Sequence, residues 1–327
     1  MSVSMSRRAA GFSLVELMIA LLIGLIVVGG AVSLFITNRQ TSRTTENLSR
    51  MQENARVAFE MMSRDIREAA GTPCAKNIPV ANVVNNSTAP ANWWANWGDG
   101  ILGYDDNQPF PNAPFGSGDA QRVAGTDAIE IKSGSATPGV TVVAHNPSSA
   151  EFHLNTNQHH LEDGDVVMVC DYVQAAITQI TNSSSSNSNV VHNPGNTVSP
   201  GNCTKGLGYP PLCSSTNGTP YTYKPNSLVV KLSAARWYVG NNDRNGRSLY
   251  RADRNGGQEV ADGISNLQLR YLAGDQYLPA SSPLVAWKDV TAVEVALDVV
   301  SGERVGSDGQ PLTRRLTHVV ALRNRAP

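Results

Sequence analysis

The residues most able to do chemistry crowd the first sixteen positions. Gly11 and Phe12 stand at the junction between a basic start, with Arg7 and Arg8, and a long apolar run. From Leu17 to Val32 there is no polar side chain, and after Ser33 the run continues to Ile36. Glu16, a single carboxylate, sits at the front of this run. A charge in a bilayer costs roughly 2.5–3.5 kcal/mol even on lenient insertion scales, so Glu16 is expected to have a functional partner. A secretory signal peptide carries its small-residue cut site after the apolar core and loses that core. Here the small residue Gly11 comes first, so a cut after it leaves the core attached.

Other constellations fall short of a chemical site. Four cysteines suit an oxidising compartment and allow three pairings. Cys203 and Cys213 are near in sequence and flank a loop rich in Gly and Pro, which leaves Cys74 and Cys170. If unstrained, such bridges contribute roughly 3 and about 4.7 kcal/mol. His159 and His160, beside Glu162, Asp163 and Asp165, have no helical or cysteine context, so no metal is expected. Asn241, Asp243, Asn245 and Gly246 resemble the front of a calcium loop, but Ala252 stands where the closing carboxylate belongs, and a hairpin turn explains them better. No nucleophile elbow, phosphate-binding loop or zinc-helix motif is present. Nothing converges on a nucleophile with a base, so catalytic residues and cofactors are expected to be none.

The elements that carry these residues follow from periodicity. The 327 residues have net charge −1 and 16% charged residues, with no basic field for nonspecific nucleic-acid binding. The run 12–36 is long enough to span a membrane. Residues 39–70 contain neither Gly nor Pro, and Leu48, Met51, Ala55, Phe59, Met62, Ile66 and Ala69 recur at helical spacing. Charged residues fill the opposite faces at ion-pair spacings, and Gly71, Thr72 and Pro73 end the pattern. One helix is therefore expected over 12–70, roughly 90 Å long. Its 12–36 half is apolar all round, and its 37–70 half is amphipathic. Arg39 and Arg43 after the span nearly balance Arg7 and Arg8 before it, so charge counting leaves orientation open.

Beyond Pro73 short alternating runs predict strands near 128–132, 140–143, 166–170, 177–181, 228–232, 236–239, 248–251, 267–272, 290–300 and 316–322. Residues 236–251 read as one hairpin and 291–322 as a second. Helix plus antiparallel sheet is an α+β class. Two stretches, 78–118 and 182–226, read as long loop insertions. The first holds Trp93, Trp94 and Trp97, either a partner-binding patch or, as is commoner, aromatics pinning a loop to the core.

The six residues 11–16, Gly-Phe-Ser-Leu-Val-Glu, resemble a type IV prepilin leader junction at every position. The resemblance implies cleavage after Gly11 by a prepilin peptidase, N-methylation of Phe12, and docking through Glu16. A new α-amino group at Phe12 of one subunit would neutralise Glu16 of its neighbour, turning two isolated buried charges into one pair. The implied parts are a leader at 1–11, a membrane and assembly half of the helix, an amphipathic half, and a β-rich body at 71–327. Major pilins often carry a proline near mid-span; this chain has Ser33 there.

Further patches at 51–56, 65–71, 164–171, 263–271, 290–297 and 319–324 resemble the PilW family of minor pilins, which is related to the GspJ pseudopilins of type II secretion. The resemblance implies a type IV pilin-like fold and a role in priming or near the pilus tip, with pilus-dependent motility and adhesion as the outcome. It implies other minor pilins, the major pilin, prepilin peptidase, the inner membrane and a PilC/PilY-type tip adhesin as partners. Before assembly the body would sit in the periplasm on a single-pass inner-membrane anchor; afterwards it would lie at the cell surface in a pilus. A GspJ-like pseudopilin is the nearest alternative. A DNA-uptake receptor needs a clustered basic face, and Arg314, Arg315, Arg323 and Arg325 are split by strand alternation, so no nucleic-acid partner is expected.

Overall fold

The computed structural model describes residues 13–71, 73–75, 78–98, 100–111, 113–135 and 139–325. Its first element is α1, Leu14–Glu68, a single 55-residue helix. The helix ends where Ala70, with φ 57°, turns into the left-handed region and donates its N–H to Lys132 O at 2.9 Å. The sequence points to Gly71 as that turn, but Gly71 is held elsewhere: a Cβ there would lie 2.3 Å from Asn324 Nδ2. Gly100 lies against Ala70, and a Cβ there would meet the Ala70 Cα at 2.5 Å, so this close approach requires glycine at 100.

The chain falls into two compact units. The first comprises residues to Met51 together with Ser301–Leu312. Within it, the 301–312 segment lies on the helix. Thr44 Oγ1 and Gln40 Nε2 donate to Val305 O at 3.3 and 3.4 Å, and Glu303 N–H donates to Asn47 Oδ1 at 3.3 Å.

The second unit comprises Gln52–Val300 and Thr313–Pro327. Its strands are β1 Val80–Asn82, β2 Ile101–Tyr104, β3 Ala128–Ser135, β4 Val142–Asn146, β5 Glu151–Leu154, β6 Val166–Cys170, β7 Ala175–Gln179 and β8 Asn182–Ser183. They continue with β9 Asn189–Val191, β10 Leu228–Asn241, β11 Arg247–Asp253, β12 Gly256–Asp262, β13 Ile264–Ala273, β14 Gln276–Leu278, β15 Val290–Val300 and β16 Thr313–Ala321. Three sheets result. One runs β1-β7-β6-β10-β11-β12, with β3 on β10 and β2 on β3; the others run β14-β13-β15-β16 and β4-β5-β9-β8.

The long β10 organises the largest sheet. Lys231 pairs both Val167 of β6 and Ser135 of β3, and Arg236 pairs both Glu130 of β3 and Ala252 of β11. One edge of β10 therefore serves β6 and then β11, while its other edge serves β3. In β6 every residue is buried. Val167 and Val169 join Phe152, Leu154 and Tyr223 in one core cluster, while Met168 and Cys170 face Val84, Ala95 and Ile177 in another. Successive side chains alternate faces, so both sides of this strand are covered.

Two expectations need correction. The stretches 78–118 and 182–226 hold scaffold as well as loop: β1 pairs parallel with β7, β2 pairs with β3, and β8 and β9 extend a sheet. The strands there are two to four residues long, too short for alternation to reveal. Runs 228–232 and 236–239 are one strand, because Ser233, Ala234 and Ala235 continue the ladder opposite β3.

The amphipathic part of α1 joins this unit through Ala55, Ala58, Phe59, Met62, Ile66 and Ala69, all buried. Its one acidic anchor, Asp65, accepts from Trp237 Nε1 at 2.9 Å and from Arg251 Nε at 2.8 Å. Three exposed ion pairs on the helix, Arg50–Glu46, Arg56–Glu60 and Arg64–Glu68, are each worth about 0.3–0.5 kcal/mol.

Candidate functional site: the front of the apolar helix

Gly11 and Phe12 lie outside the described residues. The site is described from Ser13, whose side chain and Glu16 cap the helix reciprocally. Glu16 N–H donates to Ser13 Oγ at 3.2 Å, and Ser13 N–H donates to Glu16 Oε2 at 3.5 Å. This Ser-x-x-Glu pattern is a capping box, satisfying two of the amide donors that a helix start leaves open. The signal is written in residues 13–16 themselves. Glu16 is also the acidic residue of the first turn, where the helix dipole favours a negative charge.

Behind this cap, sixteen large apolar side chains from Leu14 to Ile36 are each 51–76% exposed. Burying a side chain of this kind is worth about 1.5–3 kcal/mol, so leaving them all in water would cost tens of kcal/mol. The stretch has mean hydropathy 2.8 in its most apolar window and is long enough to cross a membrane. Gly24, Gly29 and Gly30 have no atom within 4 Å of an added Cβ, so packing within the chain does not require glycine there.

Four hydroxyls that follow are satisfied within the helix. Ser33 Oγ donates to Gly29 O, Thr37 Oγ1 to Ser33 O, Thr41 Oγ1 to Thr37 O and Thr45 Oγ1 to Thr41 O, at 2.9–3.0 Å. Each hydroxyl returns to the carbonyl one turn back and so removes its own desolvation cost in an apolar setting. Ser33, unlike a proline, also keeps a backbone N–H for the helix ladder.

The cysteines lie in the second unit. Cys74 is bonded to Cys170 at the end of β6, and Cys203 to Cys213, with Cα separations of 5.9 and 5.0 Å. The first bridge ties the chain just past the helix to the largest sheet. The tryptophans sit on the 3-10 turn Pro90–Ala95 and after it. Trp94 and Trp97 pack against the cluster containing Met168 and Ile177, and Trp93 stacks on the Arg236 guanidinium at 4.1 Å. The aromatics pin this segment to the sheet.

Buried charge elsewhere is also structural. Glu130 binds Lys132 and, at 2.9 Å, Arg236 across the β3–β10 ladder, and all three are buried. Arg122 donates to the carbonyls of Tyr104, Asp105, Gln108 and Thr126. Burial lowers its pKa to about 10, while burial raises Asp127 to about 6. His159 accepts from Leu161 N–H, and Asp165 accepts from Glu162 N–H and pairs with Lys231. Among the described residues no three His, Cys, Asp or Glu groups gather as a metal site. Asn241–Arg247 close the β10–β11 hairpin, with Asn242 Oδ1 accepting from Arg244 and Gly246 N–H.

Residues 6–32 match the family model of the prokaryotic N-terminal methylation motif. No curated protein and no solved structure matches the chain. The matched segment covers the Gly11–Phe12 junction, the capping box and most of the apolar helix. It supports a type IV pilin or pseudopilin kind of protein, anchored in a membrane by α1, with a structural rather than a catalytic role.

Proposed function

We propose that the chain is a minor pilin that takes part in type IV pilus assembly as a priming, tip or near-tip subunit. Cleavage after Gly11 frees the Phe12 amine, which is methylated, and Glu16 pairs with the corresponding amine of a neighbour. The observation that carries this reading is the helix front. One carboxylate stands near the front of a run of sixteen exposed apolar side chains, most of them inside a matched methylation motif, followed by a large disulfide-bonded body. The exposed surface suits a bundle of like helices, and Gly24, Gly29 and Gly30 would let a neighbouring backbone approach closely. Proposed partners are other minor pilins, the major pilin, prepilin peptidase and a PilC/PilY-type tip adhesin, with the body in the periplasm before assembly and at the cell surface afterwards.

A GspJ-like pseudopilin of type II secretion shares the same helix front. Deleting the gene separates the two readings. A minor pilin predicts loss of surface pili and twitching with secretion intact, whereas loss of secretion with normal pili would establish the pseudopilin reading.

A further inference from the structure

β16 is an unusual sheet edge. Its nine residues pair in unbroken register with β15, from Thr313 opposite Val300 to Ala321 opposite Ala292. The other edge strands of the three sheets are two to four residues long, as in β1, β2, β8 and β14, or carry a bulge in their pairing, as in β4 and β12. Short or bulged edges are the usual protection against strand addition, and β16 lacks both devices.

The register fixes which backbone groups are open. Leu322 N–H donates to Thr291 O, so the even residues 314–320 occupy the directly bonded pairs with β15. The N–H and C=O groups of Thr313, Arg315, Thr317, Val319 and Ala321 point away from the sheet. Among the described residues none of these ten groups has a hydrogen-bond partner. The side chains are open too: seven of the nine residues are exposed, Val319 to 55%.

On the face shared with the helix, Arg314, Leu316, His318 and Val320 follow one another, and the His318 ring lies 4.2 Å from that of Phe59. Among the described residues Arg314 has no ion pair, whereas Arg315, on the opposite face, is held by both oxygens of Asp298 at 2.8 and 3.2 Å. A strand laid along this edge would meet, on the helix side, the Arg314 cation and then apolar surface at Leu316 and the His318–Phe59 pair. The complementary strand places a carboxylate at the first position and apolar residues at the following alternate ones.

We propose that β16 is a docking edge at which an extended segment of another protein chain, with an acidic residue followed by alternating apolar ones, adds as a fifth strand. The added strand gains its main-chain bonds from Thr313, Arg315, Thr317, Val319 and Ala321, and its register from Arg314. This inference concerns the folded body and does not depend on processing at Gly11.

The test uses the full chain in detergent micelles and two fluorescent nine-residue peptides. One alternates threonine with glutamate, valine and leucine; the other has lysine in place of glutamate. The wild type binds the glutamate peptide in preference to the lysine peptide, read by anisotropy. Thr317→Pro removes an outward N–H that the β15 ladder does not use, so the fold is kept while peptide affinity falls by roughly tenfold or more. Arg314→Glu, an exposed change, reverses the peptide preference. Failure of the wild type to bind either peptide would overturn the proposal, as would undiminished binding by Thr317→Pro or an unchanged preference in Arg314→Glu.

Discussion

Ser13 and Glu16 hold each other at the front of α1, the hydroxyl accepting from the Glu16 amide at 3.2 Å and the carboxylate reaching back to the Ser13 amide at 3.5 Å. The second bond is at the long limit, and both groups are exposed. A carboxylate held this loosely can leave its own helix for a cation on another subunit, and the two roles can be separated by substitution.

Glutamine at the third helical position keeps a capping box but carries no charge. Glu16→Gln should therefore retain the cap yet lose the pairing with a neighbouring Phe12 amine, and Glu16→Ala should lose both. Each variant should insert in the membrane and be cleaved, while incorporation into pili falls sharply in both. Ser13→Ala removes about 1 kcal/mol of capping and should be far milder. Pilus counts with quantitative blotting of sheared fractions check the order. Wild-type incorporation of Glu16→Gln would assign the residue to capping alone.

Asp65 joins the helix to the sheet through the buried Trp237 and through Arg251. Asp65→Ala leaves the indole N–H and the guanidinium without their acceptor, so the body should lose on the order of 2–3 kcal/mol. Asp65→Asn keeps an acceptor and should cost less. Urea unfolding followed by tryptophan fluorescence reads the difference.

His145 and His192 flank Phe152 with ring centroids 4.5 and 4.6 Å from it, and burial lowers their pKa values to about 4 and about 3. In the unfolded chain both titrate near about 6.5. Below that pH the unfolded state takes up protons that the folded state refuses, so stability falls as pH drops from about 6.5 toward 4. The slope is about 1.4 kcal/mol per pH unit for each histidine. Denaturant titrations at pH 7, 6, 5 and 4 should show this loss, and His192→Leu should remove the His192 share while leaving that of His145. An unchanged slope in that variant would remove His192 from the account.

Much of the architecture was legible because it repeats locally. The apolar run, the 3.6-residue stripe from Leu48 to Ala69, and the two hairpins ending in β11 and β16 need only neighbouring residues to be read. The strands β1, β2, β8 and β9 were not legible, since each is too brief for a period and exists through a distant partner. No local pattern marks Glu130, Lys132 and Arg236 as a buried trio. They are buried because the register sets Arg236 against Glu130, 106 residues away, and because Trp93 and Phe110 close over the guanidinium. The capping box was written in four residues but hidden by a stronger signal in the same place.

The N-terminus of the mature protein tests the central claim most directly. Intact-mass and terminal-peptide measurements on protein from sheared pili or membranes should find a chain beginning at methylated Phe12. Gly11→Glu should leave the leader attached and keep the subunit out of pili. A mature chain beginning elsewhere, an unmethylated Phe12, or normal processing of Gly11→Glu would contradict the account.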